Sequence, residues 1–230
     1  MKNIKEYREK ELKNYVIGNI LLVTLLSGVF NADIIKDLKI DISSIGALFP
    51  FATVSAVVYM YVFLLDSLIP GGKKQVVAYM NYGRLPGCTI FTDIKKSNRD
   101  YRLDVEKAKI KYKTIYDNMP EGKEAKRKYE NANWYAIYSK HCNSPKVYFA
   151  NKDYLLCRDI VVMTEILIVV YILLICFNIL EFQWSVLAVL CFELFLSSYG
   201  MRGKARRLAY NVIAEDLYEV EKNDGSNRRK

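Results

Sequence analysis

A chain of 230 residues with 34 Lys and Arg against 25 Asp and Glu carries a formal charge of +9, yet 52% of it is hydrophobic. The mean hydropathy of +0.01 averages apolar runs with strongly charged segments between them, which excludes an evenly filled soluble core. The five cysteines have no paired spacing and there is one histidine, His141, so neither a disulfide framework nor a metal centre is expected.

Residues 1–14 hold five basic and three acidic residues and no cleavable leader pattern, so they read as the cytoplasmic end of an uncleaved anchor. The first apolar run is 15–30, with Gly18 and Gly28 positioned to let a neighbouring helix approach. A short link with Lys36 and Lys39 against Asp33, Asp37 and Asp41 leads to a second run, 45–65, which contains Pro50 and ends at Asp66. Residues 71–157 follow, an insert of 87 residues with 18 Lys and Arg against nine Asp and Glu, so its excess equals the charge of the whole chain. Thr89, Ile90 and Phe91 suit a short strand or an extended connector. Asp100 is a candidate N-cap for a helix to Asn118, with Tyr101, Val105, Ala108, Tyr112 and Ile115 on one face. Pro120 should open a second helix to Cys142, with Ala125, Tyr129, Ala132 and Ala136 on one side.

Ser144-Pro145 is a helix-start pattern, and nothing interrupts helical character from there to Leu180. The third apolar run, 160–180, is then the membrane half of a helix of about 36 residues, long enough to cross a bilayer with length to spare. The fourth, 182–199, is followed by Gly200, Arg202, Gly203, Lys204, Arg206 and Arg207, where the helix should break and then resume through Ala209, Val212, Ile213 and Leu217. Basic residues flank the N-terminus, the insert and the C-terminus and avoid the Glu181–Gln183 turn, which places both termini and the insert in the cytoplasm. The expected fold is an all-α membrane protein with four transmembrane helices and a helical cytoplasmic insert between the second and third. Its segments are 1–69, 70–157, 158–200 and 201–230, and its expected location is the bacterial inner membrane.

Candidate chemistry concentrates on two carboxylates inside apolar runs. Glu165 lies five residues inside its run and Glu193 six residues inside the antiparallel one, so both sit roughly 8–9 Å below the cytoplasmic surface. A charged group facing lipid costs at least about 2.5 kcal/mol, so the pair should face a bundle interior, a water-filled path or another subunit. Two readings stay open: a relay favouring cations or protons, or acids that pin the bundle by reaching Arg158 and Arg202. Asp66, Arg158, Asp159 and Arg202 are expected as interfacial charges. The insert offers a basic surface at Lys73, Lys74, Arg84, Lys126, Arg127 and Lys128. It suits anionic lipid, an acidic cytoplasmic protein, or a nucleotide messenger or nucleic acid stacked on residues such as Tyr82 and Trp134. No catalytic constellation is present, so no enzyme activity and no cofactor are expected.

The plan of two spans, helical insert, two spans and helical tail resembles the small four-span proteins of prokaryotic anti-phage systems. These include the effectors tied to cyclic-oligonucleotide signalling and the membrane subunit of Kiwa. The stretch from Trp134-Tyr135 to Asn151-Lys152-Asp153-Tyr154-Leu155-Leu156-Cys157-Arg158-Asp159, entering the third span, carries the likeness. The resemblance implies a homo-oligomer that senses infection at the inner membrane or damages that membrane.

Overall fold

The computed structural model describes residues 4–26, 56–79, 85–96 and 100–219, and among these every regular element is a helix. In chain order they are α1 (Ile4–Leu26), α2 (Ala56–Leu68), α3 (Gly71–Tyr79), α4 (Ile90–Lys96), α5 (Val105–Lys111), α6 (Lys113–Asp117), α7 (Lys123–His141), α8 (Pro145–Cys176) and α9 (Trp184–Leu217). The described residues fall into two units. The first takes those up to Lys74 with Leu156–Tyr199, and the second takes Gln75–Leu155 with those from Gly200 onward. The insert and the tail, separate segments in the sequence reading, therefore fold together.

In the first unit, α8 and α9 are each long and apolar enough to cross a membrane. Their exterior is apolar, the reverse of a soluble bundle. On α9, Phe192, Phe195, Leu196 and Tyr199 recur at steps of three and four and are exposed; Val169, Ile172 and Leu173 do the same on α8. Facing inward are Val161, Val162, Ile166 and Leu167 of α8, Val186 and Leu190 of α9, Val16 and Ile20 of α1, and Val62 of α2. Such an outer surface is stable against hydrocarbon and unfavourable against water. The α8–α9 turn is tightly built. α8 stops at Cys176 rather than Leu180 because Asn178 takes a left-handed φ of 55° and the Ile179 amide returns to the Leu174 carbonyl at 2.9 Å. The Tyr171 hydroxyl accepts from the Gln183 amide at 2.9 Å, and Phe182 packs edge-on against exposed Trp184 at 4.9 Å, an aromatic pair suited to a membrane–water boundary.

The remaining expected spans are only partly described. Residues 27–55, which include Gly28, Pro50 and the start of the second run, lie outside the described residues. α1 runs unbroken from its charged first half into the apolar residues after Tyr15. α2 and α3 meet the length and composition test for a span only when taken together across their break at Pro70, whose carbonyl receives the amides of Lys73 and Lys74 at 2.8 and 3.0 Å.

The second unit corrects several expected elements. Thr89-Ile90-Phe91 belongs to no strand: Thr89 precedes α4, its hydroxyl donates to Asp93 at 3.0 Å, and Ile90, Phe91 and Ile94 are buried. Asp100 is not a helix cap. Its carboxylate holds Arg102, accepting from that residue's amide at 3.1 Å and its Nε at 2.8 Å, and the cap is Asp104, which accepts from the Glu106 and Lys107 amides. The helix from Pro120 starts later, at Lys123 after Gly122, whose φ of 91° turns the chain. α7 also buries a different face: the alanines at 125, 132 and 136 are exposed, and Glu130, Trp134, Ile137 and His141 point inward. From α9, Met201, Ala205, Leu208, Ala209, Val212, Ile213 and Leu217 form the buried stripe. Asp216 on the same helix is buried with them and accepts from Tyr112 at 2.7 Å. Burial alone would raise its carboxyl, but hydrogen bonds from Tyr112, His141 and Lys111 hold it below the usual range.

α9 crosses Gly200 and Gly203 without the expected break. A Cβ at either position would meet nothing within 4 Å. Gly200→Ala and Gly203→Ala should therefore each stabilise the protein by up to about 1 kcal/mol, seen as a raised melting temperature in detergent.

Glu130 is 1% exposed and stands at the amino end of α4, where it accepts from the Thr92 amide at 3.0 Å, from the Thr92 hydroxyl and from the Phe91 amide. Burial raises its carboxyl despite these bonds and nearby Lys126. A raised folded-state value means that the folded protein retains a proton that the unfolded chain gives up from about pH 4.3 upward. Wild-type stability relative to Glu130→Gln should thus fall as pH rises through the interval between the two values. Denaturant titrations of both proteins from pH 4 to 7 check this, and a constant or rising difference contradicts it.

Candidate functional site

Polar groups of α1, α8 and α9 meet inside the first unit. Tyr15, near the middle of α1, donates its hydroxyl to Glu193 Oε2 of α9 at 2.8 Å and lies 2.8 Å from Thr164 Oγ1 of α8. Thr164 Oγ1 also lies 2.7 Å from the Ile160 carbonyl, so its single proton goes either to that carbonyl or back to Tyr15. The line Glu193–Tyr15–Thr164–Ile160 thus joins three helices through oxygen atoms. With the carboxylate ionised, Tyr15 donates to it; with a proton on Glu193, each hydroxyl can donate one step along to the Ile160 carbonyl. One turn along α1, Asn19 is buried and donates to the Tyr15 carbonyl at 3.2 Å, and its Oδ1 has no donor among the described residues.

Glu165 and Glu193 have different surroundings. Glu193 is engaged by Tyr15, whereas Glu165 is half-buried with Oε2 shielded and without a hydrogen-bond donor among the described residues. Adjacent residues on a helix point about 100° apart, so Thr164 can face Tyr15 while Glu165 cannot share that contact. The sequence pattern marks none of Tyr15, Thr164 and Asn19 as a site residue. Tyr15 reads as the first residue of an apolar run, and only its meeting with Glu193 across 178 positions of sequence gives it a role.

Between α1, α2, the start of α3 and α8 lies a cavity of about 110 Å³, lined by Glu9, Tyr59, Asp66, Lys74 and Asp159 with apolar neighbours including Val16 and Val62. Asp66 pairs with Lys74 at 2.6 Å through Oδ2, and its Oδ1 is buried without a donor among the described residues. Lys74, expected on a partner-binding surface, is thus engaged within the first unit. Arg158 and Asp159, expected at the interface, are 7% and 2% exposed and bound to each other, the guanidinium Nε at 2.8 Å and the terminal nitrogen at 2.6 Å from Oδ1. Arg202 is exposed on α9.

The other expected basic residues are dispersed. Lys73 is exposed on α3, and Arg84 and Tyr82 lie outside the described residues. On α7, Lys126 acts on Glu130, Arg127 is half-buried near Cys88, and Lys128 pairs with Glu124 at 3.0 Å. Trp134 is buried, stacked on Tyr138 at 5.4 Å, and donates its indole N–H to the Ala209 carbonyl at 3.3 Å, so its ring is committed to the core. His141 is buried and bonded to Asp216 rather than lying at the surface.

Comparison with protein-family models, with curated proteins and with solved structures gives no match to this chain.

Proposed function

We propose that this chain is a non-enzymatic, oligomeric inner-membrane protein whose first unit passes cations or protons along its polar layer, and so perturbs the membrane when the basic second unit is triggered. The supporting observation is the sign of what is unmet. Three shielded side-chain oxygens of the first unit, Asn19 Oδ1, Asp66 Oδ1 and Glu165 Oε2, are acceptors without a donor among the described residues. A buried acceptor left unpaired costs about 1–3 kcal/mol. A unit that keeps three of them is matched to something that donates or is positive: a proton, a hydrated cation, or a donor from a second copy. The termini and the second unit lie in the cytoplasm on this reading, and the likeness to anti-phage four-span proteins supplies its biological form, a membrane lesion set off by infection.

A second reading keeps the membrane anchor without conduction and makes the chain a scaffold that recruits a soluble protein, a nucleotide messenger or nucleic acid through Lys73, Lys126, Arg127 and Lys128. Its weakness is that Lys126 and Lys128 are engaged by Glu130 and Glu124, which reduces the positive charge left for a phosphate-bearing partner.

Cells expressing the chain with its genetic neighbours, challenged with phage and followed with a potential-sensitive dye, separate the two. Conduction predicts depolarisation with wild type that is at least tenfold slower with Glu165→Gln combined with Glu193→Gln. Recruitment predicts an unchanged potential in both, and loss of a co-purifying partner on charge reversal at Lys126, Arg127 and Lys128.

A further inference from the structure

The only histidine of the chain sits in the second unit with two carboxylates around one of its nitrogens. His141 is the last residue of α7, Asp216 lies in the last turn of α9, and Glu219 follows three residues later, on the same side of the chain at helical spacing. His141 Nε2 is 3.0 Å from Asp216 Oδ1 and 3.7 Å from Glu219 Oε2, and all three atoms lie within 4.8 Å of one another. We propose that His141, Asp216 and Glu219 bind a divalent first-row transition ion of the zinc class, which fastens the end of α7 to the end of α9.

Geometry carries the assignment first. Around a tetrahedral zinc with bonds of about 2.0–2.2 Å, neighbouring ligand atoms stand about 3.3–3.6 Å apart. The two separations from His141 bracket that range and the third is at most 4.8 Å, so closing the set needs shifts of no more than about an ångström, which Glu219, being exposed, can make. The division of labour on Asp216 is the second point. Its other oxygen, Oδ2, accepts from Tyr112 at 2.7 Å and pairs with Lys111 at 3.0 Å, which fixes the carboxylate and aims Oδ1 at His141. Outer partners that orient a ligating carboxylate are a regular part of metal sites.

Donor chemistry selects the ion. One imidazole nitrogen with two carboxylates suits zinc, manganese, cobalt or nickel, and does not suit calcium or magnesium, which take oxygen sets. His141 and Asp216 are buried and Glu219 is exposed, so the ion enters from the solvent side and keeps a position there for water. With neutral imidazole, the two carboxylates and Lys111 sum to one negative charge, which a divalent cation more than offsets. Cys142, next in sequence to His141, directs its thiol to the Ser139 carbonyl at 3.4 Å and is not a ligand. The competing account is an ion pair between protonated His141 and the two carboxylates, with no ion involved.

The test uses full-length protein in detergent, stripped with a chelator and titrated with Co²⁺ by calorimetry and visible absorption, then back-titrated with Zn²⁺. One Co²⁺ per chain, displaced by Zn²⁺, is expected. Binding should be at least tenfold weaker in Glu219→Gln, absent in His141→Gln and unchanged in Cys142→Ser. Zn²⁺ should raise the melting temperature of wild type and not of His141→Gln, while Mg²⁺ leaves both unchanged. Because Glu219 is exposed, its variant reports on the site even if His141→Gln is poorly folded. Absence of saturable binding by wild type overturns the proposal, as does equal binding by wild type and Glu219→Gln. A melting temperature indifferent to Zn²⁺ leaves the ion pair as the account and overturns it too.

Discussion

Asp159→Asn should destabilise the protein by about 3–5 kcal/mol, because it leaves the Arg158 guanidinium buried without its counter-charge. The two residues are consecutive at the point where α8 enters its apolar stretch, and both guanidinium contacts converge on one Asp159 oxygen. Arg158→Met should cost a similar amount for the mirror reason. The double replacement Arg158→Met with Asp159→Leu should recover most of the loss, since removing both charges also removes the cost of keeping them from water. Thermal unfolding in detergent of the two single variants and the double variant checks this. Additive losses would show that each residue acts through other neighbours.

The second large effect belongs to Trp134. Its ring is stacked on Tyr138, its indole N–H reaches the Ala209 carbonyl, and its side chain fills the space in front of Gly87. Trp134→Ala should cost about 3–5 kcal/mol by opening a cavity in the second unit's core. Gly87 tests the same contact from the other side. A Cβ there would stand 2.7 Å from Trp134 Cβ and Cγ, so Gly87→Ala should cost about 1–3 kcal/mol by overpacking. In the double variant the new methyl enters space the indole has vacated, so its loss should be smaller than the sum of the two. Full additivity would place the Gly87 effect in backbone conformation rather than in contact with Trp134.

Which parts of this architecture could be read from the residues follows from whether a pattern is local. The apolar runs that become the outer halves of α8 and α9 are recognisable because about 20 apolar residues have few other uses. The start of α8 is equally local: Ser144 precedes Pro145, and the Ser144 carbonyl takes the Tyr148 amide at 2.8 Å. Asp100 and Asp104 both look like caps, and only the presence of Arg102 beside Asp100 decides between them. Gly200 and Gly203 read as a helix break, yet their propensity cost of about 1 kcal/mol each is outweighed by the buried stripe that begins at Met201. Glu130 and His141 look like surface residues because what buries them, α4 for one and Asp216 for the other, is distant in sequence. Their steps of four, three and four through Trp134 and Ile137 do mark one helix face, a signal the exposed alanines obscured. The polar layer shows the same limit. Glu165 and Glu193 stand out as charges in hydrocarbon, but Tyr15, Thr164 and Asn19 become polar partners only once three helices converge.

The most direct measurement places purified protein in sealed liposomes loaded with a pH-sensitive dye and imposes a potassium diffusion potential, with the Glu165→Gln and Glu193→Gln double variant alongside. A path along the Glu193–Tyr15–Thr164 layer predicts that wild-type vesicles lose the gradient at least tenfold faster than those holding the double variant. Wild-type vesicles as tight as protein-free ones, or a double variant that leaks at the wild-type rate, would contradict it.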